Sequence, residues 1–184
     1  MPWIDSVFSA FRPDELLTIT GGTNGGVPGM VAAYIAGRSF PLVGIMPARA
    51  WKYVAPAFTK GTGNTSLIKV PPLVEPDGTW GDATSVLVSC AEVIVVHGGE
   101  WGTLIEVAQA LKMNAGRVRL GAPSLPRPVV IIPIGKFSGP AHLCKGAIWM
   151  DPALRRRSYP SRTIRTPQQL IIKLRSILDM KRSP

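Results

Sequence analysis

Cysteine and histidine are scarce in this chain: Cys90, Cys144, His97 and His142 are the whole supply. Two thiols make no disulfide framework, so a reduced, cytoplasmic setting is expected. No His/Cys cluster has metal-ligand spacing, and no metal site is expected. No apolar run reaches the ~18–20 residues that span a bilayer. The start, Met1-Pro2-Trp3-Ile4-Asp5, lacks a basic flank ahead of a long apolar core, so neither a membrane span nor a secretory signal is expected. Acids are few as well. Eleven face 21 Lys and Arg, which leaves a net charge of +10. What the chain does have is apolar residues, 46% of 184, enough for one domain with a sizeable core.

The charge is uneven. Residues 151–184 hold nine Lys and Arg against two acids, Asp151 and Asp179, a balance of +7; the first 150 residues contribute only +3. The basic segment reads as a contact for nucleic acid or another anionic surface, or as a solvated, mobile C-terminus. No aromatic-interleaved RNA motif accompanies it.

Short apolar runs alternate with helical periodicities. Ile4, Val7, Phe8 and Phe11 share one helical face. Strands are predicted at Leu16–Thr20, Pro41–Met46, Leu67–Val70, Glu92–Val96 and Pro128–Ile134, with a last short one at Ala147–Met150. Helices are predicted at Met30–Ala36, Ala83–Ala91 and Leu104–Asn114. A further helix is expected to start at Thr166-Pro167-Gln168-Gln169 and to dock Leu170, Ile171, Leu174, Ile177 and Leu178 on the sheet. Residues 47–65 read as irregular, either reaching over a ligand or making a surface excursion. Asp77–Asp82 reads as a turn and 115–127 as an exposed connection. This alternation predicts a single α/β domain over 1–184, a mostly parallel sheet with helices on both faces.

Two glycine turns stand out. Gly21-Gly22-Thr23-Asn24-Gly25-Gly26 follows one strand and opens a helix, with Pro28 in its first turn. It has no Gly-Lys-Ser/Thr ending and is not a Walker A loop. His97-Gly98-Gly99-Glu100-Trp101-Gly102-Thr103-Leu104-Ile105-Glu106 follows the run Val93-Ile94-Val95-Val96 and opens another helix. Glycine turns at strand carboxyl ends feeding helix N-termini are where open α/β sheets bind anionic ligands. Gly21, Gly22, Gly25, Gly26, Gly98, Gly99 and Gly102 are therefore candidate cradle residues. Thr23 and Asn24 either bond a ligand or shape the turn. Thr103 and Glu106 also read as a T-x-x-E capping box. His97 reads as structural rather than as a base, and Trp101 either stacks on a ligand or packs on the helix.

Gly98-Gly99-Glu100-Trp101-Gly102-Thr103-Leu104-Ile105-Glu106 resembles the GG-G-x-GT-x-x-E signature of the SLOG superfamily. That group contains the LOG or "lysine decarboxylase-like" proteins, the molybdenum cofactor carrier proteins and the ligand-sensing region of melastatin-type TRP channels. Thr20–Met30 resembles the superfamily's first glycine loop, and Val43-Gly44-Ile45-Met46-Pro47 its next strand. The likeness covers residues 15–135. It implies a Rossmann-like fold that binds a nucleotide or nucleotide-derived ligand, molybdopterin-type ligands included, between the two loops, as a carrier or sensor. A homo-oligomer is expected.

The likeness also implies an alternative: LOG enzymes cut the N-glycosidic bond of nucleoside 5′-monophosphates, using a Glu that matches Glu106. Their Arg on the preceding helix has no counterpart, because Ala83–Ala91 holds no basic residue; this argues against the hydrolase. Glu100 stands where a third Gly is usual and would repel a close phosphate by roughly 1–4 kcal/mol. The superfamily's first strand and its Gly-Ser turn also have no counterpart ahead of the first helix.

Overall fold

The computed structural model describes residues 2–60, 64–71, 82–120, 129–135, 139–147 and 151–182. Among these the fold is α/β and Rossmann-like. Strands β1 (Thr18–Thr20), β2 (Leu42–Pro47) and β3 (Thr65–Val70) form one sheet in that order, and β4 (Val93–Val96) pairs with β5 (Val130–Pro133) in another. The β1–β2 and β4–β5 ladders are parallel. No ladder joins the two sheets among the described residues. The chain forms two compact units, one of Met1–Gly44, Tyr53–Leu67 and Ile164–Pro184, the other of Ile45–Lys52 and Ile68–Thr163.

In the first unit, α1 (Pro2–Phe8) carries the expected apolar face. Phe8, Phe11, Ala32, Ile35, Phe40, Leu42, Ala55, Ala57 and Ile171 form its core. Phe8 and Phe40 meet edge to face at 5.1 Å between ring centroids, a geometry that aligns the ring edge with the neighbour's electron-rich face. The helix α2 (Gly26–Ile35) starts four residues before the predicted Met30, because Gly25 already serves as its N-cap. Gly37, at φ +79°, ends it. Residues 47–65 are less irregular than the sequence suggests: a 3-10 segment, Ala48–Tyr53, precedes α3 (Pro56–Thr59), and Pro56 supplies the fixed φ of a helix start.

The last helix, α8 (Pro167–Arg182), has the predicted start. Gln169 Oε1 accepts from the N–H groups of Arg165 (2.7 Å) and Thr166 (3.2 Å), and Thr166 Oγ1 accepts from the Gln169 N–H at 3.3 Å. This reciprocal box satisfies donors that a helix start otherwise leaves open. The helix packs chiefly on α1 rather than directly on the sheet. Arg175 donates to the Ala10 carbonyl at 2.8 Å, fixing that docking.

In the second unit, α4 (Asp82–Cys90), α5 (Trp101–Leu120), α6 (Gly139–Gly146) and α7 (Pro152–Ser158) surround the β4–β5 pair. Val88, Val96, Val107, Ala110, Leu111, Val129, Ile131, Ala141, Cys144 and Tyr159 form its core. The helix α5 is longer than predicted at both ends: it begins at Trp101, and it continues through residues 115–120 instead of yielding to a connection. Gly116 costs a helix interior only about 1 kcal/mol, and the buried neighbours Leu111 and Asn114 hold that stretch in place. The helices α6 and α7 were not anticipated. The start of α7 is local: Asp151 Oδ1 accepts from the N–H groups of Ala153 (2.8 Å) and Leu154 (2.9 Å), with Pro152 at the first helical position. The basic segment is thus folded over its described residues, not a mobile tail. The turn at Asp77–Asp82, apart from Asp82 in α4, and the strand at Ala147–Met150, apart from Ala147, lie outside the described residues.

Candidate ligand site

The first glycine loop belongs to the first unit. Thr20 ends β1 with its side chain buried, and its Oγ1 accepts from the Gly22 N–H at 3.2 Å. Gly22 has φ +72°, a conformation that side chains disfavour. A short antiparallel bridge, Thr23 to Val54, then braces the loop. The Asn24 N–H donates to the Tyr53 carbonyl at 2.7 Å, and the Ala55 N–H donates to the Gly22 carbonyl at 2.9 Å. The loop is therefore built on residues 53–55, and two of its amides are already used. Asn24, Gly25 and Gly26 are exposed. No side chain caps α2 at Gly25, so the first helical amides are left to solvent or ligand.

Two glycines hold this loop by close approach. A Cβ on Gly44 would stand 2.7 Å from Leu67 Cδ1, 2.8 Å from Phe58 Cζ and 3.1 Å from Gly22 Cα. A Cβ on Gly29 would overlap the Asn24 carbonyl. The sequence places Gly44 in a strand and gives it no role of its own. Only the tertiary fold shows that it lets the loop lie against β2.

The second glycine loop belongs to the second unit. Val96 ends β4 in the core, and Gly98 (φ +84°) and Gly99 (φ +114°) turn the chain. The helix α5 begins directly afterwards. The Leu104 N–H donates to the Glu100 carbonyl at 3.0 Å, which places Glu100 at the N-cap. This overturns the T-x-x-E capping box. Thr103 is the third helical residue and Glu106 the sixth, too far along to cap anything. Thr103 instead packs on Gly99, where a Cβ would overlap its side chain. Gly102 and Trp101 are exposed, Trp101 at 77%, so its ring does not pack into the helix bundle.

Glu106 is half-buried and has no hydrogen-bond or ion-pair partner among the described residues. Burial raises its carboxyl above the ordinary carboxylate value. No basic residue lies on α4, as the sequence shows.

The seven cradle glycines divide by cause. Gly22, Gly26, Gly98 and Gly99 need positive φ. Gly21, Gly25 and Gly102 do not, and a Cβ on any of them would meet nothing within 4 Å. Gly116 and Gly146 are equally open, but neither lies where a strand's carboxyl end feeds a helix start. Among the described residues no group of three or more His, Cys, Asp or Glu could hold a metal ion. No described helix is long and apolar enough to cross a membrane.

Neither a family model nor a curated protein matches the chain. A solved structure does: the molybdenum cofactor binding protein from the phototrophic bacterium Rippkaea orientalis. It is 19% identical, the match covers 96% of this chain and 85% of that one, and the TM-score is 0.60. At that identity the likeness establishes the fold.

Proposed function

We propose that the protein binds a nucleotide or nucleotide-derived anion at a glycine loop and serves as a carrier or sensor. The carrying observation is the open space at Gly21, Gly25 and Gly102, where neither backbone conformation nor internal packing calls for glycine. Glycine there leaves the main chain approachable, which a phosphate needs when backbone amides are its donors. The neighbour of like fold is named for binding molybdenum cofactor, which supports a ligand of that class, an anion carrying a phosphate or a nucleotide.

The residues present fit such a group in part. The uncapped start of α2 and the acid-free first turn of α5 offer amides and positive helix dipoles. Neither loop contributes a cation, so binding would rest on main-chain donors. Exposed Glu100 stands at the N-cap of α5, where its carboxylate disfavours a close phosphate, so the first loop is the better phosphate cradle. The cofactor, when bound, would supply its own chemistry; the chain's part is to hold and shield it.

A thermal-shift screen with AMP, NAD and molybdopterin tests this. A ligand at ~100 times its dissociation constant adds ~2.7 kcal/mol. Gly25→Val and Gly102→Val should melt within a few degrees of wild type, and the one in the binding loop should lose that gain. Absence of any shift, or an equal shift in both variants, contradicts the proposal.

A further inference from the structure

Residues 152–178 contain seven Lys and Arg and no acid. In the second unit this run begins as a rigid element. Ser158 and Tyr159 are buried, and Ser158 Oγ accepts from Asn114 Nδ2 at 2.9 Å. Lys145 Nζ donates to the Pro160 carbonyl at 3.1 Å, and Arg155 Nη2 donates to the Ala147 carbonyl at 3.0 Å. The nearest acid in sequence, Asp151, has its carboxylate committed to capping α7.

Against this scaffold Arg156, Arg157 and Arg162 are exposed, and none has an ion-pair or hydrogen-bond partner among the described residues. Fold stability does not account for them. Of the three arginines in the last turn of α7 only Arg155 reaches a carbonyl among the described residues, and the charge of the other two repels it. We propose that this arginine face of α7 and the segment after it binds the phosphate backbone of nucleic acid without sequence preference.

The chemistry selects that partner. Guanidinium groups pair bidentately with phosphate oxygens, and a row of separate, pre-positioned ones suits an extended polyanion better than one small ion. A membrane surface fits less well. Leu154 packs against the core and Tyr159 is buried, so between Pro152 and Arg162 no large apolar side chain stands beside the arginines to enter a bilayer. This reading is independent of the glycine loops.

Fluorescence anisotropy of the full chain with a labelled 20-base-pair DNA duplex and a 20-nucleotide RNA, from 50 to 200 mM KCl, tests it. Removing three phosphate contacts by Arg156→Ala, Arg157→Ala and Arg162→Ala together should lower the slope of log affinity against log salt by about 3. It should weaken binding at 100 mM KCl at least tenfold. A matched variant, Lys60→Ala, Lys69→Ala and Lys112→Ala, removes equal charge elsewhere and should bind nearly as wild type. Circular dichroism melts establish that both fold. Equal loss in the two variants would reduce the effect to net charge and overturn the proposal. So would absence of nucleic-acid binding by wild type, or binding to phosphatidylserine vesicles in its place.

Discussion

The side-chain amide of Asn114 pairs with both main-chain groups of Val129: Nδ2 donates to the carbonyl at 2.8 Å, and Oδ1 accepts from the N–H at 2.7 Å. Both residues are fully buried. A helix side chain thereby stands in for a strand neighbour at the entrance to β5, and Ser158 takes the remaining amide proton. Asn114→Ala strands the Val129 donor and acceptor away from water. Each such orphan costs about 1–3 kcal/mol, so urea denaturation should show a loss of about 2–4 kcal/mol. Ser158→Ala should lose less, about 1 kcal/mol. Equal, small effects from both would contradict this account of the β5 start.

Gly99 and Thr103 are coupled by space as well as by conformation. Gly99→Ala meets an unfavourable φ and the Thr103 side chain together. A double-mutant cycle with Thr103→Gly should give less than additive destabilisation, with an interaction of about 0.5–3 kcal/mol. Strict additivity would mean that the φ penalty acts alone.

Burial raises the Glu106 carboxyl above its unfolded value, so the folded chain holds its proton to higher pH. Between the two values the native state binds more protons than the unfolded state, and stability falls as pH rises. Below the ordinary carboxylate value both states are protonated, and the cost disappears. Glu106→Gln should therefore match wild type near pH 4 and be the more stable form at pH 7. Parallel stability curves across that range would contradict the burial. If the buried carboxyl were catalytic, incubation with AMP would release adenine, and Glu106→Gln would abolish it; with no cation on α4, the expected result is no release.

The hydroxyl of buried Tyr159 has no hydrogen-bond partner among the described residues, and desolvation, then Cys144, push its ionisation far above the ordinary tyrosine range. An unpaired buried hydroxyl is costly. Tyr159→Phe should hold or raise the melting temperature, whereas a drop of several degrees would point to an unseen partner.

What could be read from the sequence follows from the range of the causes. Val93–Val96 and Val130–Pro133 are apolar runs, and the Thr166–Gln169 cap lies within four residues, so local reasoning reaches them. The roles of Asn114 and Gly44 are not local. Asn114 looks like a helix-ending polar residue until Val129, 15 positions away, comes to meet it, so local sequence shows only part of α5. Gly44 matters because Leu67, Phe58 and Gly22 converge on it. The start of α7 was legible, since Asp151-Pro152 is an N-cap signal, but the arginines that follow drew the reading toward a tail. At the candidate site, sequence placed both glycine loops between strand and helix, while only backbone angles separate the glycines that turn the chain from those that leave it open.

The most direct measurement is the amide ¹H–¹⁵N spectrum of ¹⁵N-labelled protein titrated with AMP and, separately, molybdopterin. The account predicts that at least one of them shifts the amides of Gly21 and Gly25 or that of Gly102, and that valine in the responding loop, Gly25→Val or Gly102→Val, abolishes those shifts while the rest of the spectrum stays native. Shifts confined to other surfaces, or none at millimolar AMP and saturating molybdopterin, would contradict it.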